Sequence, residues 1–192
     1  GDEHLSLLAD AEIPCVIFQI FTDLAIGKFT ILLSNRKILW GILSDFSLPN
    51  DSIIAALQTL DKVEKEGTTA VERVLKEDLN LPSVAVSTLM ELVQIKGSNG
   101  DVIARLQEQR SNNSVFRSGV NELSQVMDGL AMFHLPTNSF QIDLSIVRGL
   151  EYYTGTVYET RLEDFPAYGS PCSGGRFEDL ASHFINKHLP GV

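Results

Sequence analysis

Apolar residues recur at helical spacing along the first stretch of the chain, where Ile13, Val16, Ile17, Ile20, Phe21 and Leu24 make one continuous face between Leu8 and Leu24. The spacing predicts a packed helix. Pro14 has no amide hydrogen and is best tolerated in a first turn, so regular helix is expected from about Asp10. Gly27 ends that helix, and Phe29 to Leu33 has the β-branched and aromatic character of a short strand. Asn35 is placed to cap a second helix over Lys37 to Leu43.

From about Asp45 to His134 the pattern becomes a succession of helices, separated by Pro49, Gly67, Pro82, Gly97 to Gly100 and the polar stretch Ser111 to Ser114. Asp51 and Asp101 are the expected N-caps of two of them. This stretch holds 13 acidic and 8 basic residues, net −5, so most of its charges read as a solvated helix surface. After Leu135-Pro136 the pattern turns to strands over Phe140 to Ile146 and Tyr152 to Leu162, then a short piece before Gly174 and Gly175, with a closing helix over Glu178 to Phe184. No internal repeat or low-complexity tract interrupts this order. The expected organisation is α+β: a core carried by 1–44 and 135–192, with a helical insertion domain over 45–134.

Composition narrows the class further. A 192-residue chain that is 44% hydrophobic can bury a large core, or a core and a smaller satellite. Its apolar runs fall short of the roughly 20 residues of a membrane-spanning helix, and the acidic start Gly1 to Asp10 does not read as a secretory signal, so a cytoplasmic location without a membrane partner is expected. Cys15 and Cys172 are too few for a disulfide framework and too distant for a zinc pair, and are read as free thiols. A formal charge of −10 argues against non-specific nucleic-acid binding, which needs a clustered basic surface, but leaves room for a small local RNA contact.

The most informative run is Val147 to Glu159, where an Arg148-Gly149 turn leads to Tyr152-Tyr153 and then Thr154-Gly155-Thr156. In a strand, adjacent tyrosines point to opposite faces, so one of them would meet a different environment from the other. A purely structural strand with core aromatics and a turn glycine explains the run about as well. Gly174 and Gly175 allow close backbone approach to a ligand, or mark a bulge. His183 and His188 follow no metal-binding spacing and read as surface or packing residues.

The run resembles the histidine-specific motif of histidyl-tRNA synthetases, Arg-Gly-Leu-Asp-Tyr-Tyr-Thr-Gly-Thr-Val-Phe-Glu. Phe29 to Leu43 with its Asn35-Arg36, Leu60-Asp61-Lys62, and Ser173-Gly174-Gly175-Arg176-Phe177-Glu178-Asp179-Leu180 resemble further blocks of that family in the same order. The resemblance implies part of a class II synthetase antiparallel-sheet catalytic domain. It implies ATP-dependent formation of histidyl-adenylate and transfer of histidine to tRNA(His). It places Arg148 on the α-phosphate and the histidine carboxylate, as the catalytic residue. Tyr152 and Tyr153 fall in the histidine pocket, and Gly174 and Gly175 beside the adenylate. It further implies ATP as substrate accompanied by Mg2+, no protein-bound metal, and a homodimer. The ATP-binding motifs of the family lie on either side of the matched region, so the chain is expected to be a central portion, inactive alone. Departures from the family pattern are Glu151, Phe177 and Glu178, where Asp, Tyr and Asp are usual. A synthetase-like regulatory or sensing module is the alternative, and the helical insertion favours the enzyme.

Overall fold

The computed structural model describes residues 5–109, 111–147, 152–183 and 187–192. Helix α1 (Leu8–Asp23) begins before Asp10 and carries Pro14 in its interior, not in its first turn. The proline is tolerated because the carbonyl it cannot serve has another donor: the Tyr158 hydroxyl donates to the Asp10 carbonyl at 2.8 Å. The buried face of α1 differs from the expected one. Asp10, Ala11, Pro14, Ile17 and Phe21 are buried, whereas Val16, Ile20 and Leu24 are largely exposed.

Strand β1 (Phe29–Asn35) runs directly into α2 (Arg36–Ser44), and the Asn35 side chain accepts from the Lys37 amide at 3.0 Å, as its position predicts. The helices α3 (Asn50–Leu60), α4 (Val63–Glu66), α5 (Thr68–Arg73), α6 (Ser83–Val93), α7 (Asn99–Glu108) and α8 (Ser114–Met132) follow, with one π turn at Val74–Asp78. Two expected caps are corrected. Pro49 precedes α3 and places Asp51 within its first turn, where a carboxylate favours the helix dipole without capping it. The cap of α7 is Ser98, with Asp101 returning the bond to the Ser98 amide in a capping box. Among the described residues no helix is long and apolar enough to cross a membrane.

Strands β2 (Phe140–Ile142), β3 (Thr156–Leu162) and β4 (Ser173–Gly175) complete a sheet in the order β2-β1-β3-β4. β1, β3 and β4 pair antiparallel, and β2 adds parallel to β1 at the edge. β2 is shorter than expected because the Asp143 carboxylate accepts from the amide and hydroxyl of Ser145 and turns the chain. β3 starts at Thr156, leaving 152–155 as loop. The expected closing helix is a 3-10 turn, Leu180–His183; Phe184 lies outside the described residues.

Two apolar clusters sit on this frame. The first joins α2 to the helices from α3 to α8 and reaches Ile142, Leu144 and Val147; the second packs α1 and the C-terminal half of α8 on Ile31, Leu33, Phe140, Tyr158 and Leu162. α8 belongs to both. It crosses α2 so closely that a Cβ on Gly41 would fall 2.3 Å from the Phe116 amide nitrogen, and one on Gly129 would fall 2.7 Å from the Ala11 Cβ in α1. The helical part is also stitched to the sheet edge, because Asn99 accepts from the Ile142 amide at 2.8 Å and donates to the Phe140 carbonyl at 3.3 Å. That side chain occupies edge hydrogen-bonding groups of β2 in place of another strand.

Candidate functional site

β3 pairs with β1 from Thr156 opposite Asn35 to Leu162 opposite Phe29, so its alternate residues face opposite layers. Tyr158 and Thr160 face α1 and α8. Val157 and Glu159 face the other way, and Gly175 of β4 lies opposite Val157. Ahead of β3, the loop 152–155 is held on both sides. The Arg36 amide donates to the Gly155 carbonyl at 2.9 Å, and the Thr154 amide donates to the Arg176 carbonyl at 2.9 Å.

The two tyrosines sit in this loop and not in a strand, so they do not alternate. Their rings touch, with centroids 4.5 Å apart and planes at 54°. Tyr153 is 8% exposed and Tyr152 37%. Gly175 makes room for the buried one: a Cβ there would lie 2.6 Å from the Thr156 carbonyl oxygen and 3.0 Å from Tyr153 Cδ1. Gly174 is not crowded in that way, since its Cβ would meet only Tyr158 Cδ2 at 3.9 Å. The adjacent glycines therefore differ. Gly175 is required by packing, first against the Thr156 carbonyl and then against Tyr153 and Val157, whereas Gly174 is left unexplained by packing.

Tyr153 and Thr154 line an open cavity of about 390 Å³ together with Arg36, Lys37, Trp40, Ile54 and Val115. Its lining is largely apolar and includes two cationic residues, Arg36 and Lys37, the second of them paired with Glu122. The Thr154 hydroxyl oxygen is buried with no hydrogen-bond partner among the described residues, and is a polar group at this wall. Lys37 is bound to Glu122 of α8, which also accepts from the Asn35 side chain at 3.0 Å, so the start of α2 is fixed. Arg36 and Lys37 were not among the expected site residues. Two cations in the first turn of a helix oppose its dipole, and that was the available signal.

Tyr152, in the loop, and Gly174 and Gly175, beside it in β4, do not line this cavity. Arg148, with Gly149, Leu150 and Glu151, lies outside the described residues. Phe177 packs its ring on Gly191, whose amide and carbonyl pair with those of Phe177, and it is not part of the cavity wall. His188 is exposed beside Asp179, with Nδ1 3.3 Å from a carboxylate oxygen. The described residues contain no group of His, Cys, Asp and Glu side chains that could hold a metal. Cys15 and Cys172 are free thiols partly buried against the second cluster, and burial pushes both thiols up.

A partly antiparallel sheet backed by long helices, with a glycine-rich strand beside a tyrosine loop, is the catalytic fold of a class II aminoacyl-tRNA synthetase. The chain belongs to the histidyl-tRNA synthetase family, whose model matches residues 3–192. It is 42% identical to a histidine–tRNA ligase of Clostridium tetani over its whole length, and 38% identical to one of Thermobifida fusca. It spans 43% of the first and 42% of the second. The crystal structure of histidyl-tRNA synthetase from a Nostoc species superposes on 99% of the chain with a TM-score of 0.94 at 39% identity, this being 44% of that structure. An ATP phosphoribosyltransferase regulatory subunit/histidyl-tRNA synthetase from Bacillus halodurans superposes with a TM-score of 0.77 at 20% identity, a likeness of fold alone.

Proposed function

We propose that this chain carries the histidine-binding wall of a histidine–tRNA ligase, an enzyme that activates histidine with ATP and transfers it to tRNA(His). The observation that carries the reading is Tyr153, buried over Gly175 with its loop forming one wall of a cavity that also presents Arg36 and Lys37. A phenol can meet an imidazole by ring contact and by its hydroxyl, and a polar group left unpaired by a wrong side chain discriminates strongly. Tyr152 supports Tyr153 by ring contact, and Gly174 and Gly175 are assigned to the adenylate side by family resemblance.

In the reaction so proposed, a histidine carboxylate oxygen attacks the α-phosphorus of ATP and pyrophosphate leaves. Arg148 is assigned to that step by family resemblance: a guanidinium offers planar, permanently charged donors to the negative charge that grows on the phosphoryl oxygens. ATP enters with Mg2+ as part of the substrate. The same reading includes a dimeric, cytoplasmic enzyme and the division into 1–44, 45–134 and 135–192. The Asn99 stitch to β2 and the span of α8 across both clusters support a helical part held rigidly to the sheet.

The test is Tyr153→Phe in the full gene product. Loss of one hydrogen bond of about 1 kcal/mol raises the KM for histidine in ATP–pyrophosphate exchange roughly fivefold and leaves the KM for ATP unchanged. Arg148→Ala, by contrast, lowers the adenylation rate by about 10²- to 10³-fold. Absence of histidine-dependent exchange in the unaltered protein, or an unchanged KM for histidine in Tyr153→Phe, overturns the reading.

A further inference from the structure

Arg176 follows the two glycines of β4, and its side chain runs back to α1. Its Nε donates to both carboxylate oxygens of Asp10, at 3.0 and 3.1 Å, and one terminal nitrogen lies 2.8 Å from the same carboxylate. That nitrogen also donates to the carbonyls of Leu5 and Ser6, each at 3.0 Å, while the other reaches Glu178 at 3.3 Å. Asp10 has no exposed surface and Arg176 is 5% exposed.

A buried ion pair is a poor source of net stability, because desolvation of both ions consumes most of their attraction. Nor does α1 need it for docking. The Tyr158 hydroxyl already ties the Asp10 carbonyl to β3, and Ala11 packs directly on Gly129 of α8. What the pair does specify is the position of Arg176, and the backbone of Arg176 is the frame of the tyrosine loop. Its amide donates to the Thr156 carbonyl at 2.8 Å, and its carbonyl accepts from the Thr154 amide at 2.9 Å. Between those two bonds lies Gly155, where a Cβ would fall 2.9 Å from Arg176 Cδ. The aliphatic stem of the arginine thus presses on the turn that sets Tyr153 and Thr154 at the cavity.

We propose that Asp10 and Arg176 are positioning residues: their ion pair, neither member of which lines the cavity, fixes the loop 152–156 so that Tyr153 meets the substrate ring in a preset orientation. The proposal rests on the reading of Tyr153 as a histidine contact. A ring held in place before binding spares the ordering entropy that a mobile one would lose on binding, which lowers the KM for the amino acid it contacts. The device acts on the loop that carries Tyr153, so the effect is expected on the substrate that Tyr153 contacts.

The experiment is the double variant Asp10→Leu/Arg176→Met in the full gene product. Apolar residues of similar volume leave no buried charge unpaired, and Glu178, which also loses Arg176, is exposed to water, so the fold is expected to be retained. The expected result is a melting temperature close to that of the parent, with a KM for histidine raised about tenfold by loss of preorganisation and a KM for ATP within about twofold. Amide hydrogen exchange in the segment 152–156 should quicken while that of α1 and α8 does not. An unchanged KM for histidine, or equal losses against both substrates, overturns the proposal and leaves the pair as a brace. Should the double variant fail to fold, Arg176→Lys, which keeps the charge and loses the planar fork, is judged by the same measurements. If the unaltered protein shows no histidine-dependent exchange, the functional reading fails first. The amide exchange of 152–156 then decides by itself whether the pair positions the loop.

Discussion

The helical stretch from α3 to α7 and the stretch from the tyrosine loop to Arg176 are built on different terms. The first buries Leu57, Leu60, Leu75, Leu89, Leu92 and their neighbours in one apolar cluster and leaves its charges in water. Its surface pairs, such as Arg161 of β3 with Glu64 of α4, are well exposed. The second buries polar groups in fixed pairs: Arg176 is 5% exposed and bonded to the buried Asp10, and the enclosed Tyr158 donates to the Asp10 carbonyl, while the Thr156 and Thr160 hydroxyls are buried with no hydrogen-bond partner among the described residues. An apolar core tolerates small shifts because dispersion is non-directional, while a buried hydrogen-bonded network is satisfied in one geometry only. The contrast separates where stability is made from where position is specified.

The contrast can be broken by four measurements. Removing one member of the buried pair should have the largest effect. Arg176→Met alone leaves the Asp10 carboxyl buried without its partner, and should lower the unfolding free energy by about 3–5 kcal/mol in urea titrations. A loss within error of zero would mean that water or another cation reaches Asp10, and that the region is less closed than the contrast requires. In the helical stretch, Leu57→Ala should cost about 2–5 kcal/mol through lost burial and the cavity left behind. Its KM for histidine should nevertheless stay near that of the parent at temperatures where the variant is folded. A raised KM there would show that the helical core also sets the site.

The third measurement is pH dependence, where two buried carboxyls should run in opposite directions. At Asp143, burial pushes the carboxyl up, but Lys96 at 2.7 Å and the bonds from Ser145 outweigh it and hold the group below the usual 3.8. A folded pKa below the unfolded value means stability that is present above 3.8 and lost as pH falls through the folded value. Asp143→Asn should therefore cost most at neutral pH and progressively less in acid. At Asp10, burial raises the carboxyl by more than Arg176 lowers it. Its contribution is present below 3.8 and is lost as pH rises through the folded value, so Asp10→Asn should cost less at neutral pH than in acid. Urea midpoints for both variants across the acid range check the signs, and parallel curves would refute the assignment. The smallest effect is expected from Glu64→Ala. Its pair with Arg161 is exposed on both sides, so the loss should stay within about 1 kcal/mol and vanish in high salt.

Much of the helical stretch was legible because helix periodicity, proline and glycine breaks and polar caps are local signals. Asn35 capped the helix where its position said it would, and the breaks at Pro49, Pro82 and Gly97 separate real helices. Local reading failed at Asp101 by three residues only, because Ser98 and Asp101 share one capping box and either can be taken for its first member. The motif around Tyr152 and Tyr153 was also visible as a run of residue types, and so was the family.

What the sequence by itself determined was thus the order and kind of the elements, the apolar helical core, and the residues from which a site is drawn. The tertiary structure decided which way they face. Pro14 looked like a boundary because its missing bond is a local deficit, and only the fold brings the Tyr158 hydroxyl, from far along the chain, to the orphaned Asp10 carbonyl. The adjacent tyrosines looked like a strand with two faces. Only the pairing of Arg176 with Thr154 and Thr156 makes them a loop whose rings touch. Arg176 itself gave no sign of its partner, since an ion pair between residues 10 and 176 has no periodicity. Hydrophobic patterning is written along the chain because every turn or strand repeats it, whereas a single buried charge pair is specified once, by the space that closes around it.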